Sequence, residues 1–143
     1  HGVPKNGSVL EIGTYCGYSA IRIAMALPGR QVVTMEVNPV YVTIARNIVA
    51  LAGLTNVIHV RTGHSKDLIP RLAERSREHE HSTFSAVFMD QKGSRYHKDL
   101  QVMENQALLL PGALVVADNV LKPGAPLLLW RLLKSGAYDT QIV

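Results

Sequence analysis

Three acidic residues stand where apolar runs give way to polar loops: Glu36, Asp90 and Asp118, the last followed at once by Asn119. Side chains at the carboxyl ends of neighbouring parallel strands converge on one edge, where such sheets bind ligands. Asp90, Asp118 and Asn119 would bring three hard oxygen donors, with neither Cys nor His required. That set suits Mg²⁺, which demands octahedral oxygen ligation and keeps water or ligand oxygens in its other positions. Inside a strand Asp118 and Asn119 would point to opposite faces; they converge only if the strand ends there, and Pro123-Gly124 favours an early end. Helix caps or solvated loop residues remain the alternative reading of the same positions.

A second constellation precedes these. The run Val9-Leu10-Glu11-Ile12-Gly13-Thr14-Tyr15-Cys16-Gly17-Tyr18-Ser19 reads as a strand, a tight glycine turn and a helix start. Glycine permits positive φ and close approach to the backbone, and a helix N-terminus offers free N–H groups. Glu36 follows Glu11 by 25 residues. In dinucleotide folds an acid about 20 residues past the glycine turn bonds ribose hydroxyls. Because the turn is G-x-x-x-G rather than G-x-G-x-x-G, an adenosine-containing ligand without a diphosphate fits better than a dinucleotide.

The elements that must position these residues alternate strand and helix. Strands are expected at 8–12, 31–36, 57–61, 84–90 and 114–118, with a sixth beginning over 137–143. Helices are expected at 18–27, with Ile21, Met25, Ala20 and Ala24 at helical spacing, and from Pro39 to Leu51, with Asn38 as N-cap, Val40, Ile44, Ile48 and Leu51 as the buried stripe and Gly53 as the stop. A third begins between Ser65 and Ile69. A fourth carries Leu100, Met103, Ala107 and Leu110 on one side before a Pro111-Gly112 turn. A last short helix runs through Trp130, read as packing on the sheet. Short connections between β and α imply one domain over residues 1–143: an α/β, Rossmann-like sheet, mostly parallel, with helices on both faces and right-handed crossovers.

Composition narrows the partners. The chain has 143 residues, 47% of them hydrophobic, enough for one core. No apolar run approaches the roughly 20 residues of a membrane span. The net charge of +4 is scattered and only 6% of residues are aromatic, so no nucleic-acid stacking platform is expected. The single Cys16 excludes an internal disulfide framework, agrees with a reducing, cytoplasmic setting, and reads as a packed residue rather than a nucleophile. His59 reads as a core or edge residue, and His79 and His81 as solvated.

Several of these motifs together resemble the catechol O-methyltransferase family: VLEIGTYCGYS over residues 9–19, Glu36-Val37-Asn38-Pro39, Phe88-Met89-Asp90 with Arg95-Tyr96, and Ala117-Asp118-Asn119-Val120 with Pro123-Gly124-Ala125-Pro126. The resemblance runs from about residue 9 to 130. It implies methyl transfer from S-adenosylmethionine to an oxygen of a Mg²⁺-chelated, catechol-like small molecule. Carried over by position, Glu36 would bind the ribose. Gly13, Tyr15, Gly17, Tyr18 and Ser19 would shape the methionine pocket, with Glu11 orienting that segment. Gly63, His64, Ser65 and Gln91 would border the adenine, beside Asp90. Asp90, Asp118 and Asn119 would hold Mg²⁺, with Asn119 also meeting the substrate.

The match has a gap. The family's general base is a lysine three positions after the metal aspartate, and here position 93 is glycine. Lys92, one place early, is the candidate base and substrate contact, with Lys122 or His97 as poorer substitutes. Lys92 also stands where the family has an aromatic pocket wall. The family's N-terminal helices and final antiparallel strand have no counterpart, so the chain is expected to be a core fragment with weak catalysis. Two rival readings follow: a methyltransferase-fold binding module that has lost catalysis, and a nicotinamide-dependent oxidoreductase, disfavoured by the glycine spacing.

Overall fold

The computed structural model describes residues 2–78 and 83–143. His79 and His81 lie outside the described residues. Five strands, β1 (Ser8–Ile12), β2 (Val32–Glu36), β3 (Ile58–Thr62), β4 (Phe84–Met89) and β5 (Leu109–Ala117), form one all-parallel sheet in the order β3-β2-β1-β4-β5. The chain therefore winds outward one way from β1 through β2 to β3 and the other way from β4 to β5. The crevice at that reversal, above the carboxyl ends of β1 and β4, is where open α/β sheets take ligands.

Strand alternation assigns the two cores. Leu10, Ile12, Met35, Val87 and Met89 face α3 (Ser65–Glu78), α4 (Tyr96–Asn105) and α5 (Pro126–Ser135), whose Ile69, Leu100, Met103 and Leu128 are buried against them. Val9, Val32, Ile58 and Ala86 face α1 (Tyr18–Ala26) and α2 (Pro39–Leu51) on the other side. Small residues allow those two helices to sit close: Ala20 and Ala24 on α1 and Ala45 on α2 are buried. Asn38 caps α2, its side chain accepting from the Val40 N–H at 2.9 Å, with Pro39 in the first turn as expected.

Several expectations are corrected. The buried face of α2 is Val42, Ala45 and Val49, whereas Val40, Ile44, Ile48 and Leu51 face outward. The helix is apolar on nearly all sides, so periodicity alone offered two stripes; close packing selects the one carrying the small Ala45. Met25 and Trp130 are likewise exposed, Trp130 beneath the Lys134 ammonium rather than on the sheet. Helix α4 stops at Asn105, because Ala107 adopts a left-handed backbone with φ 52° and Leu108 N–H bonds back to Met103. Ala107 and Leu110 thus leave the helical stripe. Strand β5 begins at Leu109, well before the expected position: Phe84 pairs with Leu109 but Ala86 with Leu114, so Pro111-Gly112 forms a bulge within the strand instead of a turn ahead of it. Residues 137–143 form no strand. Gly136 ends α5 in a left-handed conformation, and the Tyr138 hydroxyl donates to Glu104 at 2.5 Å, holding the chain at α4 instead of along β5. Edge-strand His59 is half-buried, bonded to Gln31 at 2.7 Å.

One glycine fixes how the strand ends meet. Gly13 has φ +107°, and a Cβ there would lie 2.4 Å from the Asp90 carbonyl oxygen. Gly13→Ala is expected to cost at least about 2 kcal/mol in urea unfolding. Gly29→Ala, also at positive φ but with open space around it, should cost only about 1 kcal/mol. Equal losses in the two variants would contradict the close-approach argument.

Candidate functional site

The glycine turn leaves β1 and is tied at once to β2. Gly13 and Thr14 N–H both donate to the Met35 carbonyl, at 3.0 and 3.2 Å. Glu36, ending β2, accepts from the Tyr15 N–H through Oε2 and from the Asn38 N–H through Oε1, both at 2.9 Å. One carboxylate thereby joins the glycine turn to the start of α2. Tyr15 is held in a left-handed conformation with φ 48°, its exposed ring 4.5 Å from that of Tyr41. Gly17, with φ 87°, starts α1; Tyr18 is exposed and Ser19 half-buried in its first turn. Cys16 is a half-buried free thiol in the same turn.

Beneath the turn runs a buried polar chain. Thr14 donates to Thr34 at 2.6 Å, and Thr34 donates to Glu11 Oε2 at 2.5 Å. Both threonines and Glu11 are fully buried. Burial pushes the Glu11 carboxyl up to about 7; the Ser19 and Thr34 hydroxyls pull it down and the Asp90 charge adds a smaller upward push.

The second half of the site lies across β4 and β5. Strand β5 ends at Ala117 and Asn119 turns left-handed with φ 58°, so the alternation that would separate Asp118 from Asn119 is broken there. Asp118 N–H donates to the Met89 carbonyl at 2.9 Å, and Asp118 Oδ1 accepts from its neighbour Asn119 N–H at 2.6 Å. Burial, followed by the charge of Asp118, holds the Asp90 carboxyl above its usual range. Neither carboxylate has a salt-bridge cation among the described residues. No group of three or more His, Cys, Asp or Glu side chains among the described residues is arranged for a metal; the expected set has only two carboxylates, completed by an amide. Tyr96, fully buried, stands beneath them: its hydroxyl lies 2.8 Å from the Gln91 carbonyl and 3.1 Å from that of Asp118. Burial and the charges of Asp90 and Asp118 push this phenol up to about 12, so it remains a proton donor.

The third side comes from the β3–α3 and β4–α4 loops. Gly63 N–H donates to the Glu36 carbonyl at 2.9 Å, which draws this loop to the acid that ends β2. Ser65 and Gln91 both donate to Asp99 at 2.7 Å. His64 is half-buried beside them, accepting from the Lys66 N–H at 3.3 Å. Sequence reasoning overlooked Asp99, Thr14, Thr34 and any role for Tyr96. Their signal is faint, since a lone polar residue in an apolar stripe reveals its partners only once the loops are folded.

The profile of the O-methyltransferase family matches residues 3–127. Catechol O-methyltransferase B of Danio rerio is 43% identical over 133 residues, covering 92% of this chain and 49% of that protein. The chain belongs to the O-methyltransferase family. Among solved structures, the O-methyltransferase from Bacillus cereus in complex with SAH superposes with a TM-score of 0.72 at 30% identity, covering 84% of this chain and 52% of that one. TomG of Streptomyces achromogenes, an O-methyltransferase in complex with SAM, gives a TM-score of 0.73 at 27% identity, covering 96% and 56%. The chain thus spans about half the length of these relatives.

Set in this family, position 93 acquires a physical explanation. A Cβ on Gly93 would lie 2.8 Å from the Gly124 carbonyl oxygen and 3.1 Å from Ala125 Cβ. The loop after β4 packs on the loop after β5 too closely for any side chain, so a lysine cannot occupy this position without moving backbone. Lys92, exposed at the start of the Gly93–Arg95 turn, is the nearest lysine to it in sequence.

The shifted Glu11 generates a pH prediction. The folded chain keeps the Glu11 proton up to about pH 7, while the unfolded chain releases it near 4.5. Between these values the folded state binds more protons, so this group's stabilisation, complete below pH 4.5, is lost as pH rises to 7. The loss amounts to about 3 kcal/mol. Urea unfolding from pH 5 to 8 is expected to show wild type falling by about 2–3 kcal/mol relative to Glu11→Gln, which cannot titrate. A constant difference across that range would refute the assignment.

Proposed function

We propose that this chain is the cofactor- and metal-binding core of an O-methyltransferase that moves the S-adenosylmethionine methyl group to a hydroxyl of a catechol-like small molecule. The observation that carries the reading is Glu36, whose carboxylate sits on the Tyr15 backbone N–H of the glycine turn, at the crevice where Asp90 and Asp118 also face each other's charge. Glu36 would take the ribose hydroxyls. Gly13, Tyr15, Gly17, Tyr18 and Ser19 would line the methionine portion, with Glu11 supporting them from below. Gly63, His64, Ser65 and Gln91 would border the adenine.

The donor set of Asp90, Asp118 and Asn119 fits Mg²⁺: hard oxygens, excess negative charge and an Asp90 carboxyl raised by burial and then by its uncompensated neighbour Asp118. These three residues would hold the ion, whose Lewis acidity would lower the pKa of the substrate hydroxyl. The chain's own residues would position the two reactants in line and exclude water. Lys92, exposed beside Gly93, would accept the hydroxyl proton. The reading of a nicotinamide enzyme loses to the G-x-x-x-G turn and to SAH and SAM in the relatives' structures.

Two substitutions separate the two halves of the site. Calorimetry should give SAH binding without NAD binding, and Glu36→Gln should weaken SAH by about 10–100-fold. Asp118→Ala should leave SAH affinity within about threefold of wild type while abolishing Mg²⁺-dependent methyl transfer to a catechol. Loss of SAH binding in Asp118→Ala, or methyl transfer indifferent to Mg²⁺, would sink the two-part site. Lys92→Ala that retains full turnover would remove Lys92 as base.

A further inference from the structure

Asp99, in the first turn of α4, is 1% exposed and lies under the loops that flank the glycine turn. Its Oδ2 accepts from Ser65 Oγ and from Gln91 Nε2, each at 2.7 Å, and its Oδ1 from the Arg95 guanidinium at 3.3 Å. The donors come from three places: Ser65 opens α3, Gln91 follows the end of β4, and Arg95 immediately precedes α4. One side chain gathers them.

A carboxylate accepting these bonds decides which way two ambivalent groups face. The Gln91 amide must turn its NH₂ to Asp99, because the reverse would set Oε1 against the carboxylate oxygens. Gln91 Oε1 is then left buried and without a partner among the described residues. The single Ser65 proton is likewise committed to Asp99, so toward any other group Ser65 Oγ offers lone pairs alone. Both side chains become acceptors, and an acceptor buried without a donor is costly until one arrives. Gln91 N lies beside the glycine turn, 3.2 Å from where a Gly13 Cβ would be. Gln91, which carries the unpaired acceptor, therefore adjoins the glycine turn whose Tyr15 N–H bonds Glu36.

We propose that Asp99 is a positioning residue that sets nucleobase specificity. By fixing Gln91 and Ser65 as acceptors, it selects a purine bearing an exocyclic amino group, adenine, over a 6-oxopurine. The inference rests on the adenosyl-cofactor reading above. An amino group supplies the missing donor, whereas a 6-oxo group sets acceptor against acceptor. Sites built for one hydrogen-bond pattern strongly reject its reverse.

The test is calorimetric titration with S-adenosylhomocysteine and its deaminated analogue S-inosylhomocysteine, with thermal melts alongside. Wild type is expected to prefer the adenosyl compound by about tenfold or more. In Asp99→Asn, near-isosteric, the amide can face Gln91 in either orientation, and the preference should shrink to within about threefold. Should that variant fail to fold, Gln91→Leu leaves the Asp99 bonds to Ser65 and Arg95 in place and should lose the same preference. An undiminished preference in either folded variant overturns the proposal, as does a wild type that binds both compounds equally. A wild type that binds neither overturns the cofactor reading, and the role of Asp99 falls with it.

Discussion

The missing Cβ of Gly13 is the constraint on which the rest of the site depends. The end of β1 lies so close to the end of β4 that the Asp90 carbonyl occupies the space a side chain would need. With that approach, Gly13 and Thr14 can bond Met35 on one side while Asp90 N–H bonds Ile12 on the other, at 2.9 Å. Three strand ends are pinned within one turn of chain. Glu36 then reaches the turn's backbone, and Asp90 stands beside both the turn and Asp118. A wider separation would leave these groups as unrelated loop residues.

Buried polar groups then give the crevice its rigidity. Glu11, Thr34 and Thr14 form a line under the turn, Tyr96 joins the carbonyls at the ends of β4 and β5, and Asp99 collects the loops after β3 and β4. Placing ionisable groups inside an apolar sheet is unfavourable unless they are hydrogen-bonded. Here each bonded group fixes a segment that packing alone would leave free. The upward shift of Glu11 shows what that arrangement costs: the carboxyl is stabilised by two hydroxyls, yet burial still outweighs them. The polar lines are therefore better understood as devices for geometry than as sources of net stability.

Much of this was legible in the sequence, for reasons that differ from element to element. The first four strands are bounded by turn residues, so their places along the chain, and the acids that end β2 and follow β4, could be read directly. Asn38-Pro39 announced α2 by local chemistry. Its buried face could not be read, because an all-round apolar helix has no unique stripe and only the packing of Ala45 decides. The early start of β5 was hidden by Pro111-Gly112, which signals a turn by composition yet sits in a bulge. The sixth strand failed for a tertiary reason, since Tyr138 is engaged by Glu104. At the site, Glu36, Asp90, Asp118 and Asn119 were visible because strand ends are predictable. Asp99 was not, because its partners are 34 and 8 residues away on other loops.

The glycine at 93 shows how a loop's packing can set the terms of its chemistry. The turn after β4 rests on the backbone at Gly124, and at that contact there is no room for a side chain. A side chain at position 92, one place earlier, leaves the backbone in a different direction, so the course of Lys92 is set by a backbone contact it does not itself make. The carboxylates on either side of this loop are held by strand ends and cannot follow it. Residues 91–95 run between these fixed ends, and the Gly93 contact sets their course.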